Sequence, residues 1–309
     1  MTAPWLRELG SLLRGERTEG APLAPRTSIR IGGPADLLVR PADAGDLVAL
    51  LAACRRMGVP WFALGGGANL LVADRGIRGA VVRLPPGFGE ESARDDLLVL
   101  SAGAPSSHLV ATAQAAGFTG AEFAAGIPGT LGGLAAMNAG TRGGEMKDLL
   151  TRVEIATADG LGWVEARDLS LGYRQSRIPA LGLCTRIEVR LGRGDLAAAR
   201  EAMRADLAKR RATQPLAEPT FGSTFRNPPG DHAGRLIEAV RLKGHAIGGA
   251  MWSTVHANFV VNRGGATAAD VLALVNLARS RVKAEHGVLL EPEVRLAGEF
   301  LAEERIEAL

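Results

Sequence analysis

Three consecutive glycines, Gly65 to Gly67, sit inside an otherwise apolar stretch, "LGGGANLLVADRG" (Leu64 to Gly76). Glycine loses more backbone freedom on folding than any other residue, so such a run in a folded chain needs a compensating reason. Two reasons compete. One is a tight turn between strands. The other is a backbone lying against an anion, where a Cβ would obstruct and amide N–H groups converge on the charge. The flanking residues exclude the commonest form of the second. "VPWFAL" reads as a strand before the glycines, but Leu70 to Val72 and Ala80 to Leu84 read as further strands separated by a turn at Asp74 to Gly79. No helix begins where a doubly wound dinucleotide-binding domain requires one. The spacing fails as well, because a G-x-G-x-x-G motif starting at Gly65 needs a glycine where Leu70 stands.

A second cluster, "AAGIPGTLGGLAAMNAG" (Ala124 to Gly140), follows about sixty residues later. It is not a Walker A loop, since no glycine in it precedes the Lys-Ser/Thr pair that reaches phosphates and Mg²⁺. Pro128 suits the first turn of a helix, leaving Gly126 and Gly129 free to approach a ligand. Close packing of a small-residue helix explains the same residues equally well. Two such clusters, each opening from a strand-like segment, point to one extended anion such as a dinucleotide pyrophosphate.

Elsewhere the chain reads as mixed α and β without an internal repeat. Asp46 to Met57 carries Leu47, Leu50, Leu51 and Cys54 at helical spacing and stops at Gly58. Thr267 to His286 places Val271, Leu274, Val275, Ala278 and Val282 on one stripe, with Gly287 after its end. At 309 residues and 47% hydrophobic, the chain has room for two or three packed domains. A net charge of +3 with 4% aromatics gives no stacking platform for nucleic acid. Cys54 and Cys184 have neither a CxxC spacing nor histidines at metal-ligand spacing, and read as buried thiols in a reducing compartment. The N-terminus carries Arg7 and Glu8 inside what would have to be an apolar core, so it is neither signal peptide nor membrane span, and a cytoplasmic location is expected.

"TSIRIGGPADLLVRP", "LGGGANLLVADRGIRGAVV", "SAGAPSSHLVATAQAAGFTGAEFAAGIPGTLGGLAAMNAG", "GYRQS", "FGSTFRNPPGDHAGRLIEAVRLKGHAIGGA" and "LLEPEVRLAG" follow one another from Arg26 to Glu299. In this order and spacing they resemble the UDP-N-acetylenolpyruvoylglucosamine reductase family. The resemblance implies an α+β protein; ahead of the matched segments, 1–25 is expected to be an N-terminal helical segment. A two-lobed FAD-binding domain of the vanillyl-alcohol-oxidase (PCMH) type would span 26–193, with lobes 26–86 and 87–193. A smaller α/β substrate-binding domain would span 200–303. By the family's pattern, Leu64, Gly65, Gly66, Gly67, Ala68, Asn69 and Leu70 cradle the pyrophosphate of non-covalent FAD. Gly126, Ile127, Pro128, Gly129, Thr130, Gly133, Asn138 and Gly140 line the flavin from the other lobe.

The implied reaction is NADPH-dependent reduction, through FAD, of an enolpyruvyl ether to a lactyl ether on a UDP-sugar in peptidoglycan precursor synthesis. Hydride addition to the terminal alkene carbon pushes electrons into the neighbouring carboxylate, giving a doubly negative enediolate. Arg174 in "GYRQS" matches the family's catalytic arginine, and a guanidinium suits that charge because it stays protonated and offers forked donors. Ser223 in "FGSTFRNP" matches the proton donor, and Glu293 in "LLEPEVR" the third residue, beside the carboxylate. Outside their motifs, Arg174 reads as a surface ion-pair partner, Ser223 as a turn serine bonding local backbone, and Glu293 as a partner of Arg295. Glu291 would share a face with Glu293 in an extended strand, were Pro292 not between them.

Two polyanions call for cations, and Lys209, Arg210 and Arg211 precede Ser223; a helix end explains them as simply. Tyr173, Arg210 and Asn227 are substrate-contact candidates. The interval from Arg174 to Ser223 has no room for the inserted tyrosine loop of one branch, which places the chain in the compact branch. None of His108, His232, His245, His256 and His286 matches a catalytic position; His232 is read as a capping or surface residue, with ligand contact as the alternative. The partners expected are small molecules acting on a monomer, with no metal, nucleic acid or membrane. Two rival functions stay open: another flavin oxidase or dehydrogenase on the same scaffold, and a non-catalytic nucleotide-sugar sensor.

Overall fold

A computed structural model describes residues 4–301 and Ile306. By its internal contacts the chain divides into two units: Met1–Glu19, Leu37–Gly66 and Gly79–Ala208 form the first, and Gly20–Asp36, Gly67–Arg78 and Lys209–Leu309 the second. Mixed helix and sheet are present throughout, as the α+β expectation requires. Among the described residues no helix is long and apolar enough to cross a membrane.

The first unit is organised by two sheets. One runs Glu16–Pro22, Pro34–Arg40, Ile77–Val82, Trp61–Ala63, of which residues 16–19, 37–40, 79–82 and 61–63 belong to this unit. The other runs Gly160–Glu165, Leu150–Thr157, Leu183–Arg190, Leu97–Ser101, Ser92–Arg94, antiparallel throughout. The helix Ala44–Met57 forms where the 3.6-residue stripe predicts it. Asp43 caps its start by accepting from Asp46 N–H, and Gly58 ends it at φ 64°, the left-handed conformation that costs a glycine nothing. Leu47, Leu50 and Leu51 pack with Ala156 and Leu183 of the second sheet. On the other face of that sheet, the helices Ser106–Ala115 and Leu131–Ala136 close a core of Leu98, Leu109, Leu131, Val153 and Ile187.

Two local expectations need correction. The first 25 residues are not uniformly helical: a helix over Pro4–Leu12 gives way to a strand over Glu16–Pro22. That strand is exposed at every position but Ala21, so it carries no period-2 pattern to read; it is extended because a sheet neighbour pairs with it. Nor does Pro128 open a helix. The helix starts at Leu131, and Thr130 is the cap, because its hydroxyl can accept from Gly133 N–H and a proline offers no such group.

In the second unit an antiparallel sheet runs Thr220–Ser223, Phe259–Asn262, Ala250–Trp252, Ala246–Ile247. The helix Ala268–His286 lies in its core through Val271, Leu274, Val275, Ala278 and Val282, all fully buried. Each Val or Leu so buried contributes roughly 1.5–3 kcal/mol of apolar transfer. Thr267 and Asp270 form a capping box at its start, and Gly287 ends it at φ 69°. A distant carboxylate adds to that cap: Asp74 accepts from Ala268 N–H at 2.9 Å and Ala269 N–H at 3.2 Å. Asp74→Ala is therefore expected to cost about 1–2 kcal/mol, read as a lower urea midpoint, with Asp74→Asn nearer the wild type. The strand Leu70–Val72 pairs in parallel with Arg295–Ala297, which ties the segment after the three glycines to the end of the chain.

Candidate functional site

The chain leaves the strand Trp61–Ala63, turns through Gly65 to Asn69 and enters the strand Leu70–Val72. A Cβ on Gly65 would stand 2.7 Å from Thr130 Oγ1, and one on Gly66 2.6 Å from Gly129 Cα. The two glycine clusters therefore touch, backbone against backbone. Gly67 is needed for another reason: its φ is +62°, and a Cβ there would meet Arg26 O at 2.3 Å. Close turn packing thus accounts for the glycines themselves.

The anion reading is supported by what these turns leave over. Among the described residues, the backbone N–H groups of Gly65, Gly66, Gly67 and Ala68 donate to no protein acceptor, and neither do those of Gly126, Gly129 and Thr130. Apart from Gly67 these residues are at least partly exposed, so a ligand can reach their amides, and runs of uncommitted N–H groups at two touching glycine turns suit the phosphates of FAD. The other members of the set contribute differently. Leu64 and Leu70 bury their side chains and can offer only backbone. Ile127 packs partly against the core, and Pro128 is exposed. A Cβ on Gly133 would make ordinary contact only. The Asn69 amide is turned to the chain's end, with Nδ2 donating to Glu293 O at 3.1 Å while Asn69 O accepts from Arg295 N–H at 3.1 Å.

Asn138, expected beside the flavin, spends its side chain inside the protein. It is fully buried with φ 40°. Its Nδ2 donates to Glu145 Oε2 and Gly172 O, both at 2.9 Å, and its Oδ1 accepts from Lys147 N–H at 2.8 Å. The bond to Gly172 matters because Gly172 and Gln175 pair across a tight turn whose corner is Tyr173–Arg174. Arg174 sits at φ 56°, a left-handed conformation costing a non-glycine residue about 1 kcal/mol or more. Three contacts hold it there: Asn138 on Gly172, Ser176 Oγ donating to Ala136 O at 2.7 Å, and the Arg174 guanidinium donating to Gly140 O at 2.8 Å. Gly140, expected to line the flavin, thus holds Arg174 through its carbonyl. The Tyr173 ring is half exposed, 5.1 Å from the Arg174 guanidinium carbon, a cation–π geometry.

In the second unit Ser223 and Glu293 come together. Ser223 ends its strand, and the next residue, Thr224, accepts from Glu293 N–H at 2.8 Å. Phe225 bridges Pro292, and Arg226 N–H donates to Glu291 O at 2.9 Å, so the two segments run side by side. Among the described residues the Ser223 hydroxyl has no hydrogen-bond partner. It is not bonding local backbone. Glu291, the rival carboxylate, is exposed and faces the Arg226 guanidinium at 3.9 Å.

Of the remaining candidates, Arg210 lies in the helix Leu196–Thr213 with Nε on Gln214 Oε1 at 3.4 Å. Asn227 Oδ1 accepts from Ala233 N–H at 3.1 Å and so caps the helix Ala233–Ala239. His232 stands at the cap position but contributes no side-chain bond there; its N–H donates to Asp231, whose carboxyl is held well below the usual range by Arg235 first and that N–H second. Burial pushes the Cys54 thiol up to about 11 and Cys184 to about 12, so neither is a nucleophile near neutrality. No cluster of potential metal ligands occurs among the described residues.

Comparison with known proteins adds independent support. Residues 35–163 match the model of an FAD binding domain, and residues 214–297 that of the UDP-N-acetylenolpyruvoylglucosamine reductase C-terminal domain. Ser223 and Glu293 fall inside the second match; Arg174 lies between the two. The UDP-N-acetylenolpyruvoylglucosamine reductase of Anaeromyxobacter dehalogenans is 63% identical over 300 residues, covering 97% of this chain and 91% of that protein. The enzyme of the same name from Myxococcus xanthus is 50% identical over 286 residues, covering 91% and 92%. The crystal structure of the UDP-N-acetylenolpyruvylglucosamine reductase of Thermus caldophilus superposes with a TM-score of 0.77 at 36% identity, covering 92% of this chain and 99% of that one.

Proposed function

Because the chain belongs to the UDP-N-acetylenolpyruvoylglucosamine reductase family, we propose a division of labour among its residues in that family's reaction. It is an FAD-dependent oxidoreductase that reduces the enolpyruvyl ether of UDP-N-acetylenolpyruvoylglucosamine to a lactyl ether, in peptidoglycan synthesis. When bound, FAD reduced by NADPH would supply the hydride equivalent that the terminal alkene carbon needs. The uncommitted amides of the two glycine turns would hold the cofactor's phosphates, and residues 26–193 and 200–303 would bind cofactor and substrate respectively. Arg174, fixed in its strained turn, meets the charge that builds on the substrate carboxylate as the enediolate forms. Ser223 then gives its hydroxyl proton to the carbon next to that carboxylate, the alkoxide left behind regaining a proton from solvent, and Glu293 stands beside the carboxylate to relay charge as a proton. Tyr173, Arg210 and Asn227 contact substrate at the rim. The enzyme works as a monomer in the cytoplasm.

The observation that carries this reading is the unpartnered Ser223 hydroxyl on a segment hydrogen-bonded to the backbone of Glu293. A hydroxyl is a weak acid, but an enediolate is a strong base, so the transfer is less uphill than the free serine suggests. The test is anaerobic and optical. The purified protein should be yellow, release its chromophore on denaturation, bleach with NADPH and recover colour on adding the enolpyruvyl sugar. Recovery with oxygen but not with the sugar would favour an oxidase, and no bleaching at all a sensor.

A further inference from the structure

We propose that the Gly222 bulge and the Asn258 side chain together aim the Ser223 hydroxyl, making both positioning residues for the proton transfer. The inference rests on the assignment of Ser223 as proton donor. It starts from a mismatch in register. Thr220 stands opposite Val261, yet Ser223 stands opposite Phe259, so three steps along one strand face two along the other. The extra residue is taken up at Gly222, whose φ is +86° and whose Cβ position meets nothing within 4 Å. That glycine is there for its dihedral angle and not for space. A bulge of this kind bends the strand and turns the following side chain to a new direction.

A bulge alone leaves the strand beyond it free to slip, and Asn258 prevents that. It is buried. Its Nδ2 donates to Phe225 O at 2.8 Å while its Oδ1 accepts from Phe225 N–H at 3.0 Å, so one side-chain amide imitates a strand partner. Its backbone carbonyl accepts from Thr224 N–H at 2.8 Å. Both residues after Ser223 are thereby fixed by one residue. Asn258 is itself anchored, donating its N–H to His256 Nδ1 at 3.2 Å; burial pushes the His256 pKa down, which keeps that nitrogen an acceptor. On the opposite side, Thr224 O receives Glu293 N–H, so any slip at Asn258 shifts the Ser223 hydroxyl relative to Glu293. Only an amide offers a donor and an acceptor at this spacing; an ionised carboxylate offers acceptors alone.

The test separates the two half-reactions by stopped flow in Asn258→Asp and Gly222→Ala, each alone and combined with Ser223→Ala. Alone, each should leave reduction of the flavin by NADPH within about two-fold and slow reoxidation by the enolpyruvyl sugar about 10–100-fold. On the Ser223→Ala background each should add no more than about two-fold, because residues acting through one group are not additive. Equal slowing of both half-reactions, or the same factor again without the hydroxyl, would overturn the proposal. Gly222→Ala, whose methyl meets no neighbour and whose cost is confined to the dihedral angle of the bulge, carries the test should Asn258→Asp not fold. If Ser223→Ala leaves reoxidation unchanged, the donor assignment falls and the positioning role with it.

Discussion

Ser223→Ala is expected to leave reduction of the flavin by NADPH within about two-fold while slowing its reoxidation by the enolpyruvyl sugar by about 10²–10⁴, the usual worth of a positioned acid. The asymmetry follows from when the proton is needed. NADPH gives its hydride to the cofactor without any carbon being protonated, whereas the sugar cannot complete its reduction until the enediolate is. The substitution is also mild for the fold. The hydroxyl makes no internal hydrogen bond among the described residues, so its removal orphans no partner, and stability should change by less than about 0.5 kcal/mol. Rapid mixing followed at the flavin absorption band reads both phases in one instrument. A reoxidation rate within ten-fold of the wild type would show that another group, or water, delivers the proton.

Why the sequence led to Ser223 but not to what aims it is a matter of range. Signals that act within one turn were legible: the glycine stops at 58 and 287 and the buried stripes before them each stabilise the element in which they are written. The strand Glu16–Pro22 was not, because all its residues but Ala21 are exposed and only its pairing makes it a strand. Asn138 and Asn258 went unrecognised as clamps because an amide's use depends on which carbonyl stands opposite. The relevant ones, on Gly172 and Phe225, are 34 and 33 residues away. The family resemblance supplied Arg174, Ser223 and Glu293 by motif, yet neither the strained backbone at Arg174 nor the bulge before Ser223 leaves a mark that distinguishes it from an ordinary turn.

The glycine clusters show the same limit from the other side, and their contact yields the second large expected effect. Gly66 has no positive φ to satisfy, so alanine there is permitted by its own backbone; what forbids it is Gly129 Cα, 2.6 Å from the new Cβ. Carbon atoms rest at about 3.5–4.0 Å, so Gly66→Ala must part the two turns by about 1 Å. Overpacking of that kind costs roughly 1–3 kcal/mol. The cost should fall on the cofactor, since the backbone donors displaced are those left uncommitted for its phosphates. Flavin affinity should drop about 10–100-fold, the factor that corresponds to that strain. The variant should then purify with little yellow colour and regain activity only in added FAD. Gly162→Ala is the control, because its Cβ meets open space in the strand Gly160–Glu165, and it should keep its flavin. A Gly66→Ala protein that retains stoichiometric FAD through dialysis would show that the cluster contact packs the fold without serving the cofactor, and the phosphate assignment of these amides would have to be withdrawn.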